Sequence, residues 1–176
     1  SRALGVALPA SHWENLLEVY KNASESETLF TKTVALWLAS EIGLPTQTLF
    51  EGAIDEATQA SAPGNAGGKG SAVLTEGETA PQYRLAVYLL RLAAQKYDLK
   101  TGDALDSAAK DAAQALADNP FPLARAILLF GKRQQGGDSA SLRGETIALL
   151  NELAGDEPTI DRALSLIFLN MAAALD

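Results

Sequence analysis

The amino-acid sequence predicts an all-α fold of about eight helices in antiparallel hairpins, arranged either as an α-solenoid or as an irregular helical bundle. Apolar residues recur at helical spacing along nearly the entire chain. These apolar residues are mainly alanine and leucine, and few are of the β-branched types that favour sheets. The one strand-like run, SAVLT, is too short and too isolated to build a sheet.

Residues 1–61 are predicted to form an N-terminal group of three helices. The first is SHWENLLEVYKNA, which places Trp13, Leu16, Leu17 and Tyr20 on one face. The second is TLFTKTVALWLASEIG, preceded by a capping box from Ser24 to Glu27 and ended by Gly43 and Pro45. The third, TQTLFEGAIDEATQA, has the weakest apolar stripe of the group.

Residues 62–80 are predicted to form a flexible loop or linker. The stretch APGNAGGKGSAVLTEGETAP, from Ala62 to Pro81, contains the Gly-Lys pair of a phosphate-binding loop. That motif also needs a glycine where Pro63 stands and a hydroxyl residue where Gly70 stands. We therefore expect a joint between helical regions rather than a nucleotide site, and no cofactor.

Residues 81–176 are predicted to form an array of helical hairpins, either as a separate domain or as one continuous domain with 1–61. Its first helix, QYRLAVYLLRLAAQKY after Pro81, is apolar on all sides and should be covered on several of them. The next, DALDSAAKDAAQALADN, has a narrow face of small side chains that should stack closely on the helix before it. That face comprises Leu105, Ala109, Ala112 and Leu116.

Three further helices complete the array: PFPLARAILLFGKRQ, SASLRGETIALLNELAG and PTIDRALSLIFLNMAAAL. The last has a stripe of apolar residues at core spacing. The members of this stripe are Ile160, Ala163, Leu164, Ile167, Phe168 and Met171.

The C-terminal half contains a loosely repeated sequence pattern. Each copy has a Gly-Asp pair, a helix rich in alanine and leucine, an acidic turn and a proline, and the pairs are Gly102-Asp103 and Gly137-Asp138. The corresponding prolines are Pro120 and Pro158. This pattern resembles a tetratricopeptide-like helical repeat, whose period is about 34 residues. The resemblance implies stacked helical hairpins with a groove that holds a peptide or another helix.

Charge and composition exclude several classes of partner. Fourteen Lys and Arg against 22 Asp and Glu give a net charge of −8, so we expect no nucleic-acid partner. The chain has no cysteine, and no apolar run is long enough for a membrane span. The chain begins with Ser1 and its single methionine is Met171, which predicts either removal of a leader or a segment of a longer chain.

We expect no catalytic residue and no metal site. His12 is the sole histidine, and we interpret it as a polar residue at a helix start. Glu51, Asp55 and Glu56 are interpreted as a solvated acidic face. An enzyme would need His12 and one of these three carboxylates in a shared cleft.

These observations predict a non-catalytic domain for protein–protein interaction or scaffolding within a larger protein or assembly, with a protein or peptide as its partner. Tyr83 and Tyr97 are the candidate partner-binding residues, because a concave face of stacked helices could present them. The alternative is a helical pocket around Tyr88 that binds a small apolar ligand or lipid.

Overall fold

The computed structural model describes residues 28–61, 79–137, 139–155 and 159–173. These ranges contain seven α-helices and no strand, so the predicted all-α class is confirmed for them. The helices are α1 Leu29–Glu41, α2 Gln47–Ser61, α3 Ala80–Tyr97, α4 Asp103–Ala117, α5 Pro122–Gln134, α6 Ser139–Ala154 and α7 Ile160–Ala173. The helix predicted around Trp13 and most of the predicted linker, 62–78, lie outside the described residues.

The described helices divide between two compact units. The first contains α1, α2, α3 and α4 as far as Ala112, and the second contains the rest of the chain from Ala113. In the first unit the three helices α1, α2 and α3 all pack against one another. In the second, α5, α6 and α7 do the same, with α5 and α7 in the most extensive contact. The helices on either side of the predicted linker, α2 and α3, thus belong to the same compact unit.

Local hydrogen bonds explain where α1 begins and ends. Thr28 is its N-cap, and the Thr28 hydroxyl oxygen accepts from the amide of Thr31 at 3.2 Å. Ser24, the predicted cap, lies outside the described residues. At the other end Gly43 has a φ of +86°. The amide of Leu44 donates to the carbonyl of Ala39 at 3.0 Å, which closes the helix end as the predicted Gly-Pro stop requires.

The long helix α3 starts with a capping box. The Thr79 hydroxyl accepts from the amide of Gln82, and the Gln82 side chain accepts from the amide of Thr79 at 3.0 Å. Pro81 occupies the first turn, as predicted. The prediction that this helix is covered on several sides is confirmed. Its buried residues are Tyr83, Leu85, Ala86, Val87, Tyr88, Leu89, Leu90, Leu92, Ala93 and Ala94.

The small-residue face of α4 is buried as predicted, but the close stacking on α3 is not observed. All four predicted residues of this face are at most 4% exposed. Nevertheless, α3 and α4 are not one of the closely packed pairs among the described helices. The long side chain of Arg91 bridges the two helices, with its Nε 2.8 Å from the Asp106 carboxylate. The small-residue face is therefore buried without the expected close packing of α3 and α4, and an ion pair joins the two helices instead.

The turn between α5 and α6 depends on two glycines. Gly136 has a φ of +78°, and the amide of Gly137 donates to the carbonyl of Lys132 at 2.8 Å. A Cβ atom on Gly137 would lie 2.7 Å from that carbonyl oxygen and 3.0 Å from a methyl of Leu142. The helix end therefore has room only for glycine at this position.

The buried face of α7 differs from the predicted stripe. Phe168 and Met171 are buried as expected, but Ile160 is 79% exposed and Ala163 is exposed as well. The residues that α7 buries are Ser165, Phe168, Leu169, Met171 and Ala172. Burial of Ser165 is tolerated because its hydroxyl donates to the carbonyl of Asp161 at 2.6 Å. The Phe168 ring meets Phe130 of α5 at a centroid distance of 5.5 Å, and this contact sets the rotation of α7.

Candidate functional site

An apolar face of α6 is directed away from the core of the second unit. The inward side of this helix carries Leu142, Leu149 and Leu153, which are all buried. Ile147 and Leu150 lie on another side, one turn apart, and are 49% and 39% exposed. We call these two residues the outer face of α6. It is an adjacent apolar pair on one helix rather than a single exposed residue, which would be ordinary on any surface.

Two charged contacts join α6 to α5. The Lys132 ammonium lies 3.3 Å from the Glu145 carboxylate, and an Arg125 guanidinium nitrogen lies 2.5 Å from the Glu152 carboxylate. Both pairs are well exposed, so each contributes little to stability. Their consequence is geometric: both acidic side chains of α6 are directed toward α5 and away from Ile147 and Leu150, beside which the exposed Arg143 lies one turn earlier.

The second unit holds all the large apolar residues that are exposed in the described part of the chain. Besides the outer face of α6, these are Phe121, Ile160 and Leu166. Phe121 precedes α5 and is 68% exposed, and Ile160 is the first residue of α7. In the first unit, by contrast, the large apolar side chains of residues 28–60 and 79–112 are buried or half-buried.

The two tyrosines predicted to bind a partner lie within the first unit. Tyr83 is buried in α3, and Tyr97 is half-buried at the end of the same helix. The Tyr97 hydroxyl lies 2.5 Å from Oγ of Ser40 and 3.2 Å from Oγ1 of Thr46. Its ring packs against Phe50 at a centroid distance of 5.7 Å. These contacts join α3 to α1 and to the residue before α2, and a partner-binding role for either tyrosine stays a prediction.

A polar cluster surrounds Tyr97. The Lys96 ammonium donates to Oγ of Ser40 at 2.9 Å and to the Glu41 carboxylate at 3.3 Å. It also lies over the rings of Trp37 and Tyr97, at 5.0 and 5.4 Å from their centroids. We call Ser40, Glu41, Lys96 and Tyr97 the α1–α3 polar cluster.

Serine, lysine and tyrosine together are residue types found at nucleophilic serine sites. Here the electrostatics oppose that chemistry. Lys96 contacts both Ser40 and Glu41, so its amino group is already engaged with two side chains at the end of α1. Ser40 also lies in the last turn of α1, where the helix dipole is negative and disfavours an oxyanion. The arrangement instead holds the Lys96 side chain against the C-terminal end of α1.

The carboxylates considered at the sequence level do not form a site with one another. Glu51 and Asp55 are exposed, and Glu56 pairs with Lys32 of α1 at 2.6 Å. Within the described ranges, no group of three or more acidic or histidine side chains is placed to hold a metal ion. His12 lies outside those ranges. The expectation that the chain is not an enzyme stays a prediction.

Tyr88, the centre of the alternative ligand-pocket hypothesis, is buried in α3. Burial raises the pKa of its hydroxyl above the ordinary value of 10.0, because the charged phenolate would lose its hydration. No contact of Tyr88 points to a ligand, and the hypothesis stays untested.

Two features of the structure were not predicted from the sequence. The outer face of α6 was not singled out because Ile147 and Leu150 have the spacing of core residues. The available signal was that apolar residues of this helix occupy two sides rather than one. The second is the hydrogen bond from the indole of Trp37 to the backbone of α3, since periodicity identifies a buried face but not the polar contacts within it.

The fold and contacts define the described part of the chain as all-α, and comparison with known proteins finds similar sequences. The chain is 35% identical over 172 residues to an alpha-2-macroglobulin from Ralstonia nicotianae. This match covers 96% of the present chain but 10% of that protein, so the chain spans about a tenth of the relative's length. No protein-family model matches the chain, and no solved structure matches it. In the ranges that the structure describes, no helix has the length and apolar character needed to cross a membrane.

Proposed function

We propose that this chain is a non-catalytic helical domain for protein–protein interaction or scaffolding, and that it belongs to a larger protein. The observation that carries the interaction role is the outer face of α6. Two adjacent apolar side chains, Ile147 and Leu150, stay exposed on a helix that already fills the core of its unit with the leucines of another side. Covering this face with another protein surface stabilises the complex by about 25 cal/mol for each Å² of apolar area removed from water.

Membership of a larger protein is supported by the alignment with the alpha-2-macroglobulin. Nearly the whole of this chain aligns within a tenth of that protein. A domain embedded in a long polypeptide has neighbouring segments that can serve as its partners. The alignment itself does not identify the partner.

We also propose that the helices pair as antiparallel hairpins, as in a tetratricopeptide-like array. In the second unit, the start of α5 binds the end of α6 through Arg125 and Glu152. The end of α5 contacts the first half of α6 through Lys132 and Glu145. These crossed pairs support opposite directions for the two helices.

The test is site-specific photo-crosslinking in cells that produce the natural protein containing this sequence. A photoreactive p-benzoylphenylalanine replaces Ile147, and a matched probe replaces Ala148, which is also exposed but lies on a different side of α6. We expect a discrete crosslinked product, within the same polypeptide or with another protein, from the probe at position 147 only. Mass spectrometry of the product identifies the covering surface.

Substitution Leu150→Asp in the same chain provides the second arm. It should abolish the product from position 147, because a carboxylate on the outer face of α6 would have to be desolvated in the interface. No product from position 147, or equal yields from positions 147 and 148, would contradict the proposed role of this face.

A further inference from the structure

We draw no further inference here: the strongest candidate, the outer face of α6 in the second compact unit, carries none beyond the proposed function because nothing in the structure shows what covers it.

Discussion

The indole nitrogen of Trp37 in α1 donates a hydrogen bond to the backbone carbonyl of Leu89 in α3, at 3.1 Å. Both side chains are fully buried, and the Trp37 ring also meets Phe50 of α2 edge to face at 5.7 Å. One residue therefore links all three closely packed helices of the first unit. A buried indole needs such an acceptor, since an unpaired N–H in the core would destabilise the fold.

Replacing Trp37 by phenylalanine should destabilise the first unit. The change removes the bond to Leu89 and leaves part of the indole volume empty, so we expect a loss of about 1–3 kcal/mol in the free energy of unfolding. Urea unfolding followed by circular dichroism measures it. Gln114→Ala, at an exposed position of α4, is the control and should shift stability by less than about 0.5 kcal/mol. Equal urea midpoints for both variants would show that the Trp37 contacts do not stabilise the first unit.

Thr33 offers the opposite kind of substitution. Its side chain is completely buried in α1, and its hydroxyl has no hydrogen-bond partner among the described residues. Thr33→Val keeps the shape and removes the unpaired hydroxyl, so we expect a gain of about 1 kcal/mol. Thr46→Val is the matched control, because the buried Thr46 hydroxyl contacts Tyr97 and its removal should lower stability. A loss of stability in Thr33→Val would contradict the assignment of an unpaired group.

Burial of Tyr88 makes the free energy of unfolding vary with pH in the alkaline range. Its pKa is raised in the folded state, so above pH 10 the unfolded chain loses this proton before the folded protein does. The unfolded state then binds fewer protons, and the free energy of unfolding falls as pH rises from about 10 toward the raised pKa. Tyr88→Phe should show a smaller decline between pH 9 and pH 11 in chemical unfolding. Identical declines would mean that Tyr88 does not contribute, because the other titrating groups are common to both proteins.

Two glycines of the second unit should respond in opposite directions to the same substitution. Gly137→Ala places a Cβ atom 2.7 Å from the carbonyl oxygen of Lys132, so we expect a loss of about 1–3 kcal/mol. Gly144 is exposed within α6 and has no atom within 4 Å of a Cβ. Gly144→Ala should therefore gain about 0.5–1 kcal/mol from helix propensity. Thermal unfolding of both variants distinguishes the close-packed turn from a general effect of glycine, and a gain in Gly137→Ala would refute the steric argument.

Periodicity in the sequence predicted much of the helical structure because each element carries its own signals. The all-round apolar character of α3, the small face of α4 and the glycine stop after α1 were visible in residue types alone. The rotation of α7 was not visible, because this helix has apolar residues on more than one side. Contact with Phe130 of α5 selects the side that includes Phe168 and leaves Ile160 in water. Selection of this kind is a tertiary effect, and the outer face of α6 was missed for the same reason.

Adjacent leucines in α6 separate the roles of core and surface. Leu149 is fully buried, whereas Leu150 belongs to the outer face and is 39% exposed. Leu149→Ala should cost about 2–5 kcal/mol in the free energy of unfolding because it opens a cavity. Leu150→Ala should cost less than about 1 kcal/mol in the chain alone, because its side chain is already partly in water.

Leu150→Ala also has an expected outcome in the photo-crosslinking experiment. Leu150→Ala should reduce the product from the probe at position 147 although the domain stays folded, and the unfolding midpoint of the same preparation verifies that it does. The exposed substitution Gln114→Ala should leave the product unchanged. If Leu150→Ala proves as destabilising as Leu149→Ala, this leucine is part of the core, and the outer face of α6 cannot serve as a separate interaction surface.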